Sequence, residues 1–170
     1  MSYFVIIRGP LGVGKTTIAR KLADILDAEY VSIDTVLSEA GLDKVNEKEG
    51  CIPIQNFIKG NEMVMPKIKE NLSKGKIVII DGCFYHKEQI KHFIDHLDAS
   101  HFVFSLKAPA KVCINRDKNR KKSYGEGAAE AVHCLVSKFD YGTIIDTGSQ
   151  RPDETIQEIK KYLIFPSDLA

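Results

Sequence analysis

No apolar run in this 170-residue chain exceeds about five residues. That is far short of the roughly 20 needed to cross a bilayer and too short for a signal-peptide core. A soluble, cytoplasmic protein with no membrane partner is the expectation. Charge of one sign is lacking as well: 24 Lys and Arg against 23 Asp and Glu leave a formal net charge of +1. The chain as a whole therefore exerts no long-range pull on nucleic acid, and any attraction must come from local patches. Four cysteines, Cys51, Cys83, Cys113 and Cys134, stand far apart, with no C-x-x-C pair and no histidine at zinc-finger spacing. This excludes a disulfide framework or zinc ribbon and predicts free thiols. His92 and His96 are four apart, but Ile90, Phe93, Ile94 and Leu97 take the opposite, core-facing side, so the pair is read as solvent-facing rather than metal-binding. Repeats, low-complexity stretches and linkers are all missing. At 44% hydrophobic residues, one domain spanning 1–170 is expected.

What is present begins eight residues in. Gly9-Pro10-Leu11-Gly12-Val13-Gly14-Lys15-Thr16 spells G-x-x-x-x-G-K-[ST], directly after the apolar run Tyr3 to Ile7. Glycines let successive backbone N–H groups turn inward around a polyphosphate, and a lysine and a hydroxyl follow at a helix start. Lys15 would reach the β/γ-phosphates, Thr16 would ligate Mg²⁺, and the helix N-terminus, with Thr17 in its first turn, adds partial positive charge. The context fits: Phe4 to Ile7 reads as a strand, and Ile18, Leu22, Ile25 and Leu26 recur at helical spacing.

Strand-like and helix-like segments alternate to the end of the chain, which points to an α/β domain with a parallel sheet. Glu29 to Ile33 reads as a second strand ending at Asp34. Residues 35–75 read as several short helices, with Ile54, Phe57 and Ile58 on one face, Val64, Ile68 and Leu72 on another, and Pro66 at a start or kink. Gly41 to Gly50, polar and charged, is expected to be mobile. Ile77 to Asp81 is the clearest strand, four branched aliphatics followed by a carboxylate. A helix from Lys87 to Leu97, a strand from His101 to Leu106, a helix carrying Val112, Cys113 and Arg116, and a strand from Thr143 to Asp146 follow. Pro152 then opens a last helix with Ile156, Ile159 and Leu163 buried.

Ligands of an open parallel sheet bind beyond the carboxyl ends of its strands. Asp81 has the form of a Walker B carboxylate that would hold Mg²⁺ directly or through water, though an Asp-Gly turn could end a strand for purely structural reasons. Asp34 could orient an attacking hydroxyl and take its proton, or could be a helix N-cap. Arg116 and Arg120, four apart, would share a helical face and could fork onto a transferring phosphoryl group. The run from Arg116 to Lys122 could equally be a solvated basic face or a nucleic-acid patch. With the glycines at 125 and 127, residues 117–128 could close as a lid.

The order of these features, with Leu-x-Ala-Pro after the fourth strand, Arg-x-x-x-Arg and a final Ile-Asp-Thr strand, resembles the small P-loop kinases. Within that group it is similar to the zeta-toxin, chloramphenicol phosphotransferase and polynucleotide-kinase-like branch, with shikimate and gluconate kinases as relatives. The resemblance implies a P-loop NTPase fold of three α/β/α layers, with five parallel strands in the order 2-3-1-4-5. It implies ATP and Mg²⁺ on Gly9 to Thr16, an acceptor in the insertion 35–75, a base at Asp34, lid arginines at Arg116 and Arg120, and an adenine-side loop at Gly148. Two patterns depart. Thr35-Val36-Leu37 stands where polynucleotide kinases tend to carry an acidic residue and an arginine, and the shikimate-kinase aspartate pair and glycines are missing. No Asn-Lys-x-Asp guanine motif occurs. The leading expectation is an ATP-dependent phosphotransferase acting on a hydroxyl of a small molecule; the alternatives are a 5′-hydroxyl polynucleotide kinase and a nucleotide-binding switch or slow ATPase.

Overall fold

The computed structural model describes residues 2–121 and 123–163. Lys122, the last residue of the basic run, lies outside them. Five parallel strands form one sheet in the order β2-β3-β1-β4-β5, as expected. These are β1 (Tyr3–Arg8), β2 (Glu29–Ser32), β3 (Val78–Gly82), β4 (Ser100–Lys107) and β5 (Thr143–Asp146). Around them run α1 (Lys15–Leu26), α2 (Ile33–Glu39), α3 (Ile54–Ser73), α4 (Lys87–His96), α5 (Ala110–Lys118), α6 (Glu126–Val136) and α7 (Pro152–Lys160).

The central strand shows why the sheet is sandwiched. Successive side chains of a strand point to opposite faces. Phe4 and Ile6 enter one core with α3, α4 and α6, while Tyr3, Val5 and Ile7 enter the other with α1 and α7. Every residue of β1 and β3 is buried, which is what a strand covered on both faces requires. No described helix is long and apolar enough to cross a membrane.

Four expectations change. The second strand stops at Ser32, whose hydroxyl caps α2 by accepting the Thr35 N–H at 3.4 Å, so Asp34 sits in the first turn of a helix and is neither a strand end nor the cap. Residues 54–73 are one helix containing Pro66, not several. Its buried stripe of Phe57, Asn61, Met65, Ile68 and Leu72 is continuous, and packing outweighs the roughly 3 kcal/mol that an internal proline costs. Gly41 to Gly50 is not a loose stretch: Asn46 bridges Cys51, and its side chain accepts the N–H groups of Lys48 and Glu49 at 2.9 and 3.2 Å. Finally, α6 was unanticipated, because the glycines at 125 and 127 mask a helical stripe of Ala129, Val132 and Val136.

Candidate active site

Between β1 and α1 the chain makes the loop that the motif demands. Gly12 and Gly14 adopt φ of +77° and +101°, conformations that side chains with a Cβ rarely adopt. At Gly12 a Cβ would lie 2.0 Å from the Cys113 carbonyl oxygen, so α5 presses directly against the loop. A cavity of about 310 Å³ opens beside it, lined by Gly12 to Ile18, Arg116, Arg120, Thr147, Gln150, Pro152 and Thr155. Gly9, Pro10 and Leu11 form the near, buried end of the loop and do not line the cavity.

The end of β3 and the start of α2 converge on the lysine. Lys15 is buried, and its ammonium lies 3.5 Å from Asp34 Oδ2. Burial alone would push that ammonium's pKa down, but the neighbouring negative charge, including the carboxylates of Asp34 and Asp81, holds Lys15 above the usual lysine range. Asp34 is oriented twice more: the Cys83 N–H donates to Oδ1 at 3.1 Å and the Cys83 thiol to Oδ2 at 3.4 Å. Burial, and next the negative charge of Asp34, push that thiol up to about 12, so it stays a neutral donor. Asp81 is buried at the end of β3. It accepts the Thr16 hydroxyl on Oδ2 at 2.8 Å and the Tyr30 hydroxyl on Oδ1 at 2.9 Å.

The expected Mg²⁺ ligands are thus already joined, and both are oxygen donors, as a hard cation needs. Among the described residues no cluster of three or more His, Cys, Asp or Glu could hold a metal. Thr16 and Asp81 would therefore share a cation with phosphate oxygens and water, which is how Mg²⁺ is usually held.

The arginines differ from expectation. Arg116 donates to the carbonyls of Thr147 at 2.9 Å, Gly148 at 3.5 Å and Val13 at 3.5 Å, so it ties the phosphate loop to the segment after β5. Thr147 reinforces that tie through its hydroxyl, which donates to the Val13 carbonyl at 2.9 Å. Gly148, read as the adenine-side loop, does not itself line the cavity, although Thr147 and Gln150 on either side of it do, and its N–H donates to Asp146 Oδ1 at 2.7 Å. Arg120 lines the cavity but lies beyond the end of α5, so the two guanidiniums do not share a helical face. Arg120 pairs with Asp117 at 3.4 Å.

Asp117 is itself buried and accepts the Ser123 hydroxyl at 2.8 Å and the Tyr124 N–H at 3.1 Å. The stretch read as a lid is therefore wound around a carboxylate that had passed for part of a solvated face. Lys118 pairs with Glu126 at 2.8 Å. His92 and His96 stack at 4.3 Å; His96 is exposed, while His92 is half-buried against Asn61 at 3.4 Å.

Sequence reasoning missed Tyr30, Cys83, Asp117 and Arg8. Arg8 ends β1 fully buried and donates to the carbonyls of Phe84, Phe139 and Val136 at 3.2, 3.1 and 2.8 Å. Burial lowers its pKa to about 10. The only signal was a charged residue between an apolar strand and the glycine loop.

Comparison with known proteins adds to this geometry. A family model described as AAA domain matches residues 4–139. Shikimate kinase of Actinobacillus pleuropneumoniae is 33% identical over 168 residues, covering 94% of this chain and 92% of that protein. A Pyrococcus furiosus protein named "Putative adenylate kinase" is 29% identical, covering 91% and 81%. Among solved structures, a sugar kinase of Janibacter superposes with a TM-score of 0.75 at 17% identity, covering 99% and 98%.

Proposed function

This chain belongs to the AAA domain family and is a kinase-like P-loop NTPase; from that premise we propose that it moves the γ-phosphate of ATP to a hydroxyl of a small molecule. The observation that carries this reading is the placement of Asp34. Its carboxylate stands 3.5 Å from the phosphate-loop lysine and is aimed by both donors of Cys83. From there it can orient an attacking hydroxyl and accept its proton.

In the ligand-free chain, Asp34 neutralises Lys15. A β/γ-phosphate competes for the same ammonium, so nucleotide binding releases the carboxylate for the acceptor. The acceptor oxygen then attacks in line: the new O–P bond forms as the bond to the β-γ bridging oxygen breaks, ADP leaves, and the hydroxyl proton passes to Asp34. Thr16 and Asp81 would hold Mg²⁺, which when bound neutralises phosphate charge. Arg116 holds the phosphate loop to the segment after β5, and Arg120 lines the cavity where it can leave Asp117 for the transferring group. Kinase names among the relatives support phosphotransfer, and their acceptors belong to them alone. The pairing of Lys118 with Glu126 and of Arg120 with Asp117 weighs against a nucleic-acid acceptor.

The test is Asp34→Asn, assayed for ADP release with an acceptor and for ATP binding. Loss of turnover with ATP affinity retained supports the reading; undiminished turnover removes Asp34 as the base.

A further inference from the structure

We propose that the acceptor is an alcohol without phosphate or carboxylate groups, neutral or carrying an ammonium group. This rests on the phosphotransfer reading and narrows it.

The first observation is where the arginines are. The chain has five, at positions 8, 20, 116, 120 and 151, and none between 21 and 115. That gap contains α2, α3 and the segment after β3 that carries Cys83, the elements around Asp34. Each arginine is committed elsewhere. Arg8 is buried on backbone carbonyls, Arg20 stacks on Tyr30 at 4.8 Å, Arg116 and Arg120 line the nucleotide cavity, and Arg151 pairs with Glu154 at 3.3 Å. Arginine grips phosphate and carboxylate groups bidentately with its planar, forked donors, whereas lysine meets them only as a point charge.

Charge points the same way. Between residues 33 and 62 there are six Asp and Glu against three Lys. Those lysines, Lys44, Lys48 and Lys59, are exposed, and Lys48 lies on the turn that also carries Glu47 and Glu49. Asp34 and Asp81 already stand at the reacting end, and ATP brings further negative charge there. Lys15, the cation paired with Asp34, is the one the nucleotide takes. An anionic acceptor would place an ungripped negative charge beside all of these.

The buried surroundings are apolar and aromatic. Leu37, Phe57, Phe84 and Tyr85 share one core cluster with Cys83, and Phe57 meets Tyr85 and His86 edge-on at 5.1 and 5.4 Å.

The experiment uses the full chain with its nucleotide site filled by Mg²⁺ and a non-hydrolysable ATP analogue. Calorimetry then titrates AMP, shikimate and gluconate as anionic probes, with sorbitol and glucosamine as probes free of anionic groups. A parallel assay follows ADP release with Mg·ATP. No saturable binding of the three anions and no stimulation of ADP release by them is the expected result. Any acceptor that does turn over should exceed its anionic counterpart in kcat/KM by at least about tenfold, as unmatched like charges predict. Saturable binding of AMP, shikimate or gluconate with Kd below about 1 mM, or ADP release driven by any of them, overturns the proposal. Failure of the analogue itself to bind is a different result: it removes the phosphotransfer reading and this proposal with it.

Discussion

On the phosphate-loop side of the site, seven consecutive residues from Gly12 to Ile18 line the cavity. On the proposed acceptor side, Asp34 comes from α2 and the donors that aim it from Cys83, 49 positions along the chain and just after β3. Backbone amides in a fixed loop bind any polyphosphate, so that half can be shared by proteins with different substrates. The other half is side chain and charge, and it changes with every substitution. Overall identity, such as the 33% shared by this chain and the Actinobacillus kinase, therefore does not by itself carry an acceptor from one protein to another.

Four measurements press on that contrast. The largest effect belongs to the acceptor side alone: Asp34→Asn should lower turnover by about 10²–10⁴-fold while ATP affinity, read by calorimetry, stays within a few-fold. A parallel fall in ATP affinity would mean that the two sides are not separable.

Arg8→Met comes next, and it affects both sides equally. It strands the carbonyls of Phe84, Phe139 and Val136 inside the fold and should cost about 3 kcal/mol in urea unfolding. Nucleotide affinity should survive in whatever fraction remains folded; selective loss of ATP binding would make Arg8 part of the donor side instead.

Tyr30→Phe sharpens the donor side. Losing the hydroxyl that fixes Asp81 Oδ1 should weaken Mg²⁺ binding in the presence of ATP by about 10–100-fold, with acceptor KM unmoved. An unchanged Mg²⁺ dependence, measured by competition with a fluorescent chelator, would reduce Tyr30 to a packing residue.

The smallest effect is a pH dependence. Burial holds the Asp81 carboxyl above its ordinary value of 3.8, so the folded chain binds that proton more tightly than the unfolded one. The corresponding stability is present below 3.8 and is lost as pH rises through the folded value. Asp81→Asn removes this cost, so it should raise the Tm of the ligand-free protein at neutral pH and leave it unchanged in acid, while abolishing Mg²⁺-dependent turnover. A lower Tm at neutral pH would mean that the Thr16 and Tyr30 hydrogen bonds outweigh the burial of the charge.

Much of the architecture was legible. Branched aliphatics in β1 and β3 specify buried strands, and Pro152 with Ile156 and Ile159 marks the start and buried face of α7, which ends at Lys160, before Leu163. The errors fell where local signals conflict with packing. Pro66 and Gly60 argue against a helix that a continuous buried stripe nevertheless forms, and Gly60 is where α2 approaches so closely that a Cβ would lie 2.8 Å from Leu37. Asp117 read as one charge in a basic run because nothing in its neighbours shows that the chain folds back over it. Cys83 and Tyr30 carry no motif, and only the meeting of β2, β3 and α2 gives them a role.

The chain's own order of residues determined the phosphate loop, the lysine and hydroxyl behind it, and the alternation that builds a parallel sheet, because each depends on neighbours within a few positions. Tertiary structure alone decided which carboxylate faces the lysine, which thiol and phenol aim the two aspartates, and where the arginines are held. Those are contacts between residues dozens of positions apart, and their geometry exists only once the sheet has brought its strand ends together.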